Sequence, residues 1–210
     1  MSNPLLPKTK IDANEHLIHP LKVHGLLPDF ELEDVWRIPV TLASTHSLQL
    51  FIDQFAKVND NLIKRGATGL LFKISLFIGR IFRWDKCPVQ DQLIPGSIRH
   101  RYAQQENLTY NDLPAPGVGS FIPVYKLEGE HLSEIENSTV QAALHFSRIP
   151  SGTDTWTIHM AVYVRPKGWF GRSYMLIIKP FRLWIVYPAL MKAAGKNWER
   201  YLESGTTQSG

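Results

Sequence analysis

Apolar and polar side chains alternate along TVQAALHFSRI and again along TWTIHMAVYVR, with Pro150, Ser151, Gly152, Thr153 and Asp154 between the two runs. A period of two marks a strand with one covered face, and the joining residues are chain benders, so the stretch predicts a long antiparallel hairpin. Val140, Ala142, Leu144 and Phe146 share one face of the first arm, and Trp156, Ile158, Met160, Val162 and Val164 share one face of the second. Pairing Phe146 with Ile158 puts both apolar rows on one side of the sheet. It also sets His145 opposite His159 on the other side, which reads as the solvated one. A slip of one residue would turn the whole apolar row to water, so odd shifts are disfavoured.

The apolar face needs a cover, and the segment from Arg172 to Glu203 supplies it. Leu183, Tyr187, Leu190, Ala194, Trp198 and Tyr201 recur at steps of three and four, which predicts a long helix with one apolar stripe. Pro180 is placed to open that helix and Pro188 to kink or split it. Tyr174–Met191 is also apolar, but Lys179, Arg182 and two prolines leave no uncharged run near the roughly 20 residues that cross a bilayer.

Upstream, Asp34–Val40 alternates as a strand, and SLQLFIDQFAKV carries a helical stripe of Leu48, Phe51, Ile52 and Phe55, with Ser44 or Thr45 as its cap. A second helix is expected over Asn61–Trp84, apolar nearly all round with Lys73, Arg80 and Arg83 as its cations. Ile98–Tyr102 reads as a short strand or a helical turn. Phe121–Lys126 and EHLSEIE then read as strands that enter the hairpin through a turn at Asn137–Ser138, giving a meander. A two-residue turn there pairs Ile135 with Val140, Ser133 with Ala142 and His131 with Leu144, and places His131 and Ser133 on the otherwise apolar face.

Length and charge narrow the picture. A chain of 210 residues with 44% hydrophobic content can bury a sizeable core as one domain. The expected division is an arm over residues 1–30, partly extended, one domain over 31–203 and a disordered tail over 204–210. The formal charge of +4 is scattered rather than striped, which argues against nucleic acid as a partner. Cys87 is the only cysteine, so neither an internal disulfide nor a cysteine zinc cluster is possible, and a reducing, cytoplasmic setting is expected. His16, His19 and His24 fit no standard metal spacing and read as solvated side chains on the arm. No phosphate-binding Gly-rich loop and no Gly-x-Ser-x-Gly turn is present, and no cofactor is implied.

The order of strand, two helices, antiparallel meander and long C-terminal helix resembles the helix-grip fold of the START and polyketide-cyclase-like superfamily. Within it the chain is similar to a bacterial family of unknown function. The stretches that carry the resemblance are DVWRIPV, GLLFKISLFIGRIFRWD, EGEHLSEIENSTVQAALHFSRI and GWFGRSYMLIIKPFRLWIVYPAL. The resemblance implies an α+β fold, a curved antiparallel sheet wrapped around the C-terminal helix with an apolar cavity between them. It supplies no catalytic residue, and fold likeness does not fix function.

The expected activity is therefore binding of a hydrophobic small molecule, such as a lipid, a polyketide or an aromatic metabolite, between sheet and helix. Leu144, Phe146, Trp156, Ile158 and Met160 would line the site, Trp184 and Tyr187 would cap it, and Arg148, His131 or Tyr125 would orient a polar group. The alternative for the same residues is a filled interior. Two further expectations stand beside it. One is an enzyme of cyclase, dehydratase or hydrolase type using His131 or a tyrosine for proton transfer. The other is a peripheral membrane or protein-interaction module built on Gly66–Trp84.

Overall fold

The computed structural model describes residues 9–64, 93–115, 121–136 and 140–206. The helix expected over Asn61–Trp84 lies outside the described residues beyond Lys64, as do Cys87 and the Asn137–Ser138 turn. The protein is α+β. A five-stranded, curved antiparallel sheet is formed by β1 (Glu31–Ala43), β2 (Ile122–Lys126), β3 (Glu130–Glu136), β4 (Val140–Gly152) and β5 (Thr155–Pro166). Its order is β1-β5-β4-β3-β2: the predicted meander runs from β2 to β5, and β1 closes the far edge. Pro39 sits in that edge strand where the register with β5 shifts, the place where a missing N–H costs no ladder bond.

The parity of the hairpin register is the predicted one and its absolute value is not. Phe146 faces Met160 rather than Ile158, and Leu144 faces Val162. β4 runs on to Gly152, and the turn tightens to Thr153 and Asp154, with Asp154 in the left-handed region at φ 55°. His145 therefore faces Ala161, and His159 faces Ser147. The same shift of two operates between β3 and β4, where His131 pairs with Phe146 and Ser133 with Leu144. An even shift exchanges partners but keeps faces, so His131 and Ser133 stay on the inner side.

The inner face is covered by α3 (Leu48–Lys64) and by α6 (Tyr187–Thr206). α3 is capped by Ser47, whose hydroxyl accepts from the Leu50 N–H at 3.1 Å, rather than by Ser44 or Thr45. Trp36, Ile38, Phe51, Phe146, Ile158, Met160, Met191 and Trp198 form the apolar core there. Gly195 of α6 lies against Pro39 so closely that a Cβ would stand 3.3 Å from the Pro39 ring and 3.4 Å from its carbonyl oxygen. Gly195→Val is expected to force α6 off β1 and lower stability by about 1–3 kcal/mol in urea unfolding.

The outer face is not solvated. Two short helices of the arm, α1 (Ala13–Leu17) and α2 (Lys22–Leu26), cover it together with α4 (Ile98–Glu106). Val23, Leu26, Ile98 and Tyr102 pack there on Val35, Tyr125, Leu132, Ala143, Ala161 and Tyr163 as a second core. Two carboxylates of β3, four residues apart and so on one face, hold α2 and α4 by their N-termini. Glu130 accepts from the N–H groups of Lys22 at 2.9 Å and Val23 at 3.4 Å. Glu134 accepts from those of Ile98 at 2.6 Å and Arg99 at 3.4 Å. Unsatisfied helix N–H groups favour carboxylates at that end, so acidic residues that look like surface positions become staples, Glu134 buried and Glu130 half-buried.

The C-terminal helical segment begins earlier than its apolar stripe suggests, as α5 (Gly168–Phe181), and passes through a π-helical turn, Arg182–Val186, into α6. The turn precedes Pro188, which lacks an N–H and whose ring would crowd the carbonyl one turn back. Widening the turn, with the Tyr187 N–H reaching the Arg182 carbonyl, relieves both. No single described helix is long and apolar enough to cross a membrane.

Candidate functional site

The middle of the inner face carries one row that is less completely covered than its neighbours, at its two central residues only. Ser133, Leu144, Val162 and Asp34 stand side by side on β3, β4, β5 and β1. The row beside it, His131, Phe146, Met160 and Trp36, is buried under α3 and α6, with Phe55 and Phe146 ring centroids 5.2 Å apart. The row on its other side, Ile135, Ala142 and Val164, is buried under Met175 of α5. Leu144 and Val162 between them are only half-buried, although they sit on the central strand and one of its neighbours. The half-open part of the row is this apolar pair on two adjacent strands, about 5 Å apart at the usual strand spacing, with the buried Ser133 and Asp34 on either side.

Each end of the row is polar. At the β3 end, His131 Nε2 and Ser133 Oγ share a hydrogen bond of 3.0 Å. Burial, helped by Lys126 and His145, lowers the His131 pKa to about 4, so the ring is neutral at pH 7. At the β1 end, Arg182 of the π turn reaches Asp34 at 2.8 Å and Glu33 at 3.0 Å, while Lys10 lies 3.1 Å from Asp34 and Lys179 lies 3.1 Å from Glu33. Burial works against the Arg182 charge, but Tyr187, Asp34 and Glu33 outweigh it and raise its pKa. Its buried Nε has no hydrogen-bond partner among the described residues.

Of the residues singled out from the sequence, His131, Leu144, Phe146, Ile158, Met160 and Tyr187 lie together on the inner face; Tyr187 packs on Trp36 at 4.9 Å. Arg148 and Trp156 occupy the hairpin end of that face, the guanidinium stacked 3.6 Å over the indole rather than presented at a mouth. Tyr125 is on the opposite face, its hydroxyl donating to Glu130 at 3.2 Å. Trp184 is 60% exposed and turned away from the sheet. Asp34, Glu33 and Arg182 were not singled out. The available signal was Asp34, an acidic residue on the same alternating face as Trp36 and Ile38.

The outer face holds the largest group of titratable rings. His16, expected to be solvated, is fully buried at the hub, with ring centroids 5.5 Å from His24, 5.6 Å from His145 and 5.7 Å from His159. His19 lies 6.0 Å from His159. Burial lowers the His145 pKa despite Glu130, so the contact of 3.0 Å is a neutral imidazole Nε2–H donating to the carboxylate. Burial favours a raised Glu130 pKa, yet the bonds from His145, the Lys22 N–H and Tyr125 hold it below the ordinary glutamate value. Both nitrogens of His16, with His145 Nδ1 and His159 Nδ1, are buried without a hydrogen-bond partner among the described residues. No three His, Cys, Asp or Glu side chains among the described residues are arranged to hold a metal. A separate hollow of about 260 Å³ lies where α4 and the turn at Tyr110–Asp112 meet β2, lined in part by Tyr102, Leu113 and Tyr125.

The fold and site define a class, an α+β protein with a sheet layered on both faces and a partly open apolar strip on the inner one. The chain belongs to the family described as protein of unknown function (DUF2867), whose model matches residues 26–189. No curated protein and no solved structure matches it.

Proposed function

We propose that the protein is a helix-grip domain of START-like type that binds a mainly apolar small molecule over the Leu144–Val162 pair, between Ser133 and Asp34. The observation that carries the reading is the half-buried Leu144–Val162 pair in the middle of the sheet, flanked by fully covered rows. A strip of this kind gives an apolar ligand surface to exclude from water at about 25 cal/mol per Å². His131 and Ser133 at one end, and Arg182 with its two carboxylates at the other, supply the few convergent polar groups that fix orientation. The flanking rows are buried under α3, α5 and α6, so the ligand lies across the strip rather than deep along α6.

Titration with 1-anilinonaphthalene-8-sulfonate, followed by displacement with fatty acids of increasing length, tests this reading. Leu144→Trp is expected to fill the strip and weaken binding at least about tenfold without unfolding, because its site is half-open. Equal binding by wild type and variant, with no lipid extracted from freshly purified protein, would remove the proposal. The His131–Ser133 bond favours a second reading, hydrolysis with Ser133 as nucleophile and His131 as base. His131 Nδ1 has no orienting partner among the described residues, which makes the pair a poor catalyst as it stands.

A further inference from the structure

α5 and the π turn present an apolar face outward. Trp169 is 79% exposed, Leu176 69%, Ile177 74% and Trp184 60%. Along α5, exposed positions 169, 173, 176, 177 and 180 recur at steps of three and four, so they form one stripe, and Trp184 extends it across the π turn. The tryptophans are 15 residues apart, with a bend of 41° in the helix axis between Ile177 and Lys179. The opposite side of α5 is already used, with Met175 covering Ile135, Val140, Ala142 and Val164. Exposed apolar side chains arranged this way carry a solvation cost that folding alone does not explain.

The charges around the stripe identify what covers it. From Lys167 to Trp198 the chain has no aspartate or glutamate, while Lys167, Arg172, Lys179, Arg182, Lys192 and Lys196 are all cationic. Arg172 is exposed on α5 beside the stripe, and Lys192 and Lys196 are exposed on α6. Lys167 is paired with Glu136 and Lys179 with Glu33, acids that lie on the sheet and not on the helices. A helix with tryptophan at both ends of an apolar stripe, flanked by cations and free of carboxylates, has the chemistry that rests in the headgroup region of an anionic bilayer.

We infer that the α5 face docks on an anionic lipid surface, with Trp169, Leu176, Ile177 and Trp184 entering the headgroup boundary and Arg172, Lys192 and Lys196 facing the lipid phosphates. The docking inferred is peripheral: no single described helix is long and apolar enough to cross a bilayer, and the segment that is apolar enough is bent by 41° between Ile177 and Lys179. It stands independently of the inner-face strip. A second copy of the chain is disfavoured as the occupant, because a two-fold contact through this face would set its cations against one another.

The test is flotation of the full chain with vesicles of phosphatidylcholine alone and with about 40% phosphatidylglycerol, at about 50 mM and about 0.5 M salt. Expected is binding to the anionic vesicles at low salt, a blue shift of tryptophan emission, and loss of most binding at high salt. The Leu176→Ser, Ile177→Ser variant and the charge reversal Arg172→Glu are each expected to bind at least about tenfold more weakly. These side chains are solvent-facing, so the variants keep the fold, and circular dichroism verifies that. Wild type that stays unbound, variants that bind as well as wild type, or a stable dimer broken by Trp184→Ser in a protein that ignores vesicles would each overturn the inference.

Discussion

Acidification from pH 7 to pH 5 is expected to lower the unfolding free energy by about 4 kcal/mol, a large share of the 5–15 kcal/mol typical of a domain. His16, His131 and His159 are neutral in the fold, with pKa values lowered to about 3, about 4 and about 4, in each case chiefly by burial. His16 is lowered further by His145, His159, His24 and His19, which face it from two strands and the arm, and His159 is lowered further by Arg37. In the unfolded chain each titrates near 6.5. Below that pH the unfolded state binds more protons, so stability falls as pH falls, by about 2 kcal/mol for each of the three at pH 5. His145 and His24, also lowered, act in the same direction.

Glu134 opposes them. Its burial raises its pKa to about 7, so it takes up a proton in the fold before it does so in the unfolded chain and returns about 2 kcal/mol over the same window. The histidines outnumber it, and the net sign is destabilising. Urea midpoints at pH 7, 6 and 5 measure the slope, and His16→Phe is expected to flatten it by about one proton. A midpoint that does not move over this window would contradict the buried, neutral state of the cluster.

Glu130→Ala is expected to cost about 3–5 kcal/mol and to free the arm from the sheet. One carboxylate accepts from the Lys22 and Val23 N–H groups, from the Tyr125 hydroxyl and from His145 Nε2. Removing it leaves the N-terminus of α2 uncapped and His145, wholly inside the protein, with neither nitrogen partnered. Hydrogen exchange over residues 9–27 should rise before the rest of the chain opens, whereas Glu130→Gln, which keeps an acceptor, should lose only about 1–2 kcal/mol. An alanine variant with wild-type stability and a protected arm would show that apolar contacts of Val23 and Leu26 hold the arm unaided.

The sequence was informative where periodicity constrains the chain and silent where it does not. Alternation placed Leu144, Phe146, Ile158 and Met160 on one face and put His131 and Ser133 beside them, and all six are there. It did not fix the partner of any one residue, because a pattern of period two is unchanged by a shift of two. His145 facing Ala161 instead of His159 is that ambiguity resolved by the turn at Asp154. The stripe of the C-terminal helix identified Tyr187 and Trp198 as core, but the π turn rotates what surrounds it, and Trp184 faces solvent.

The outer face marks the boundary between local pattern and tertiary structure. By itself the chain determined an α+β protein, a meander with one apolar face and a long helix to cover it, because burial of alternating and helical stripes leaves no other economical pairing. Whether the polar face of that sheet meets water or a second layer was decided only in three dimensions. Glu130, Glu134 and His145 are polar side chains with polar partners 15 to more than 100 residues away, and α1 and α2, five residues each, are too short to show a helical period. A carboxylate that caps a distant helix and one that sits in water look alike along the chain, and only the arrival of the helix distinguishes them.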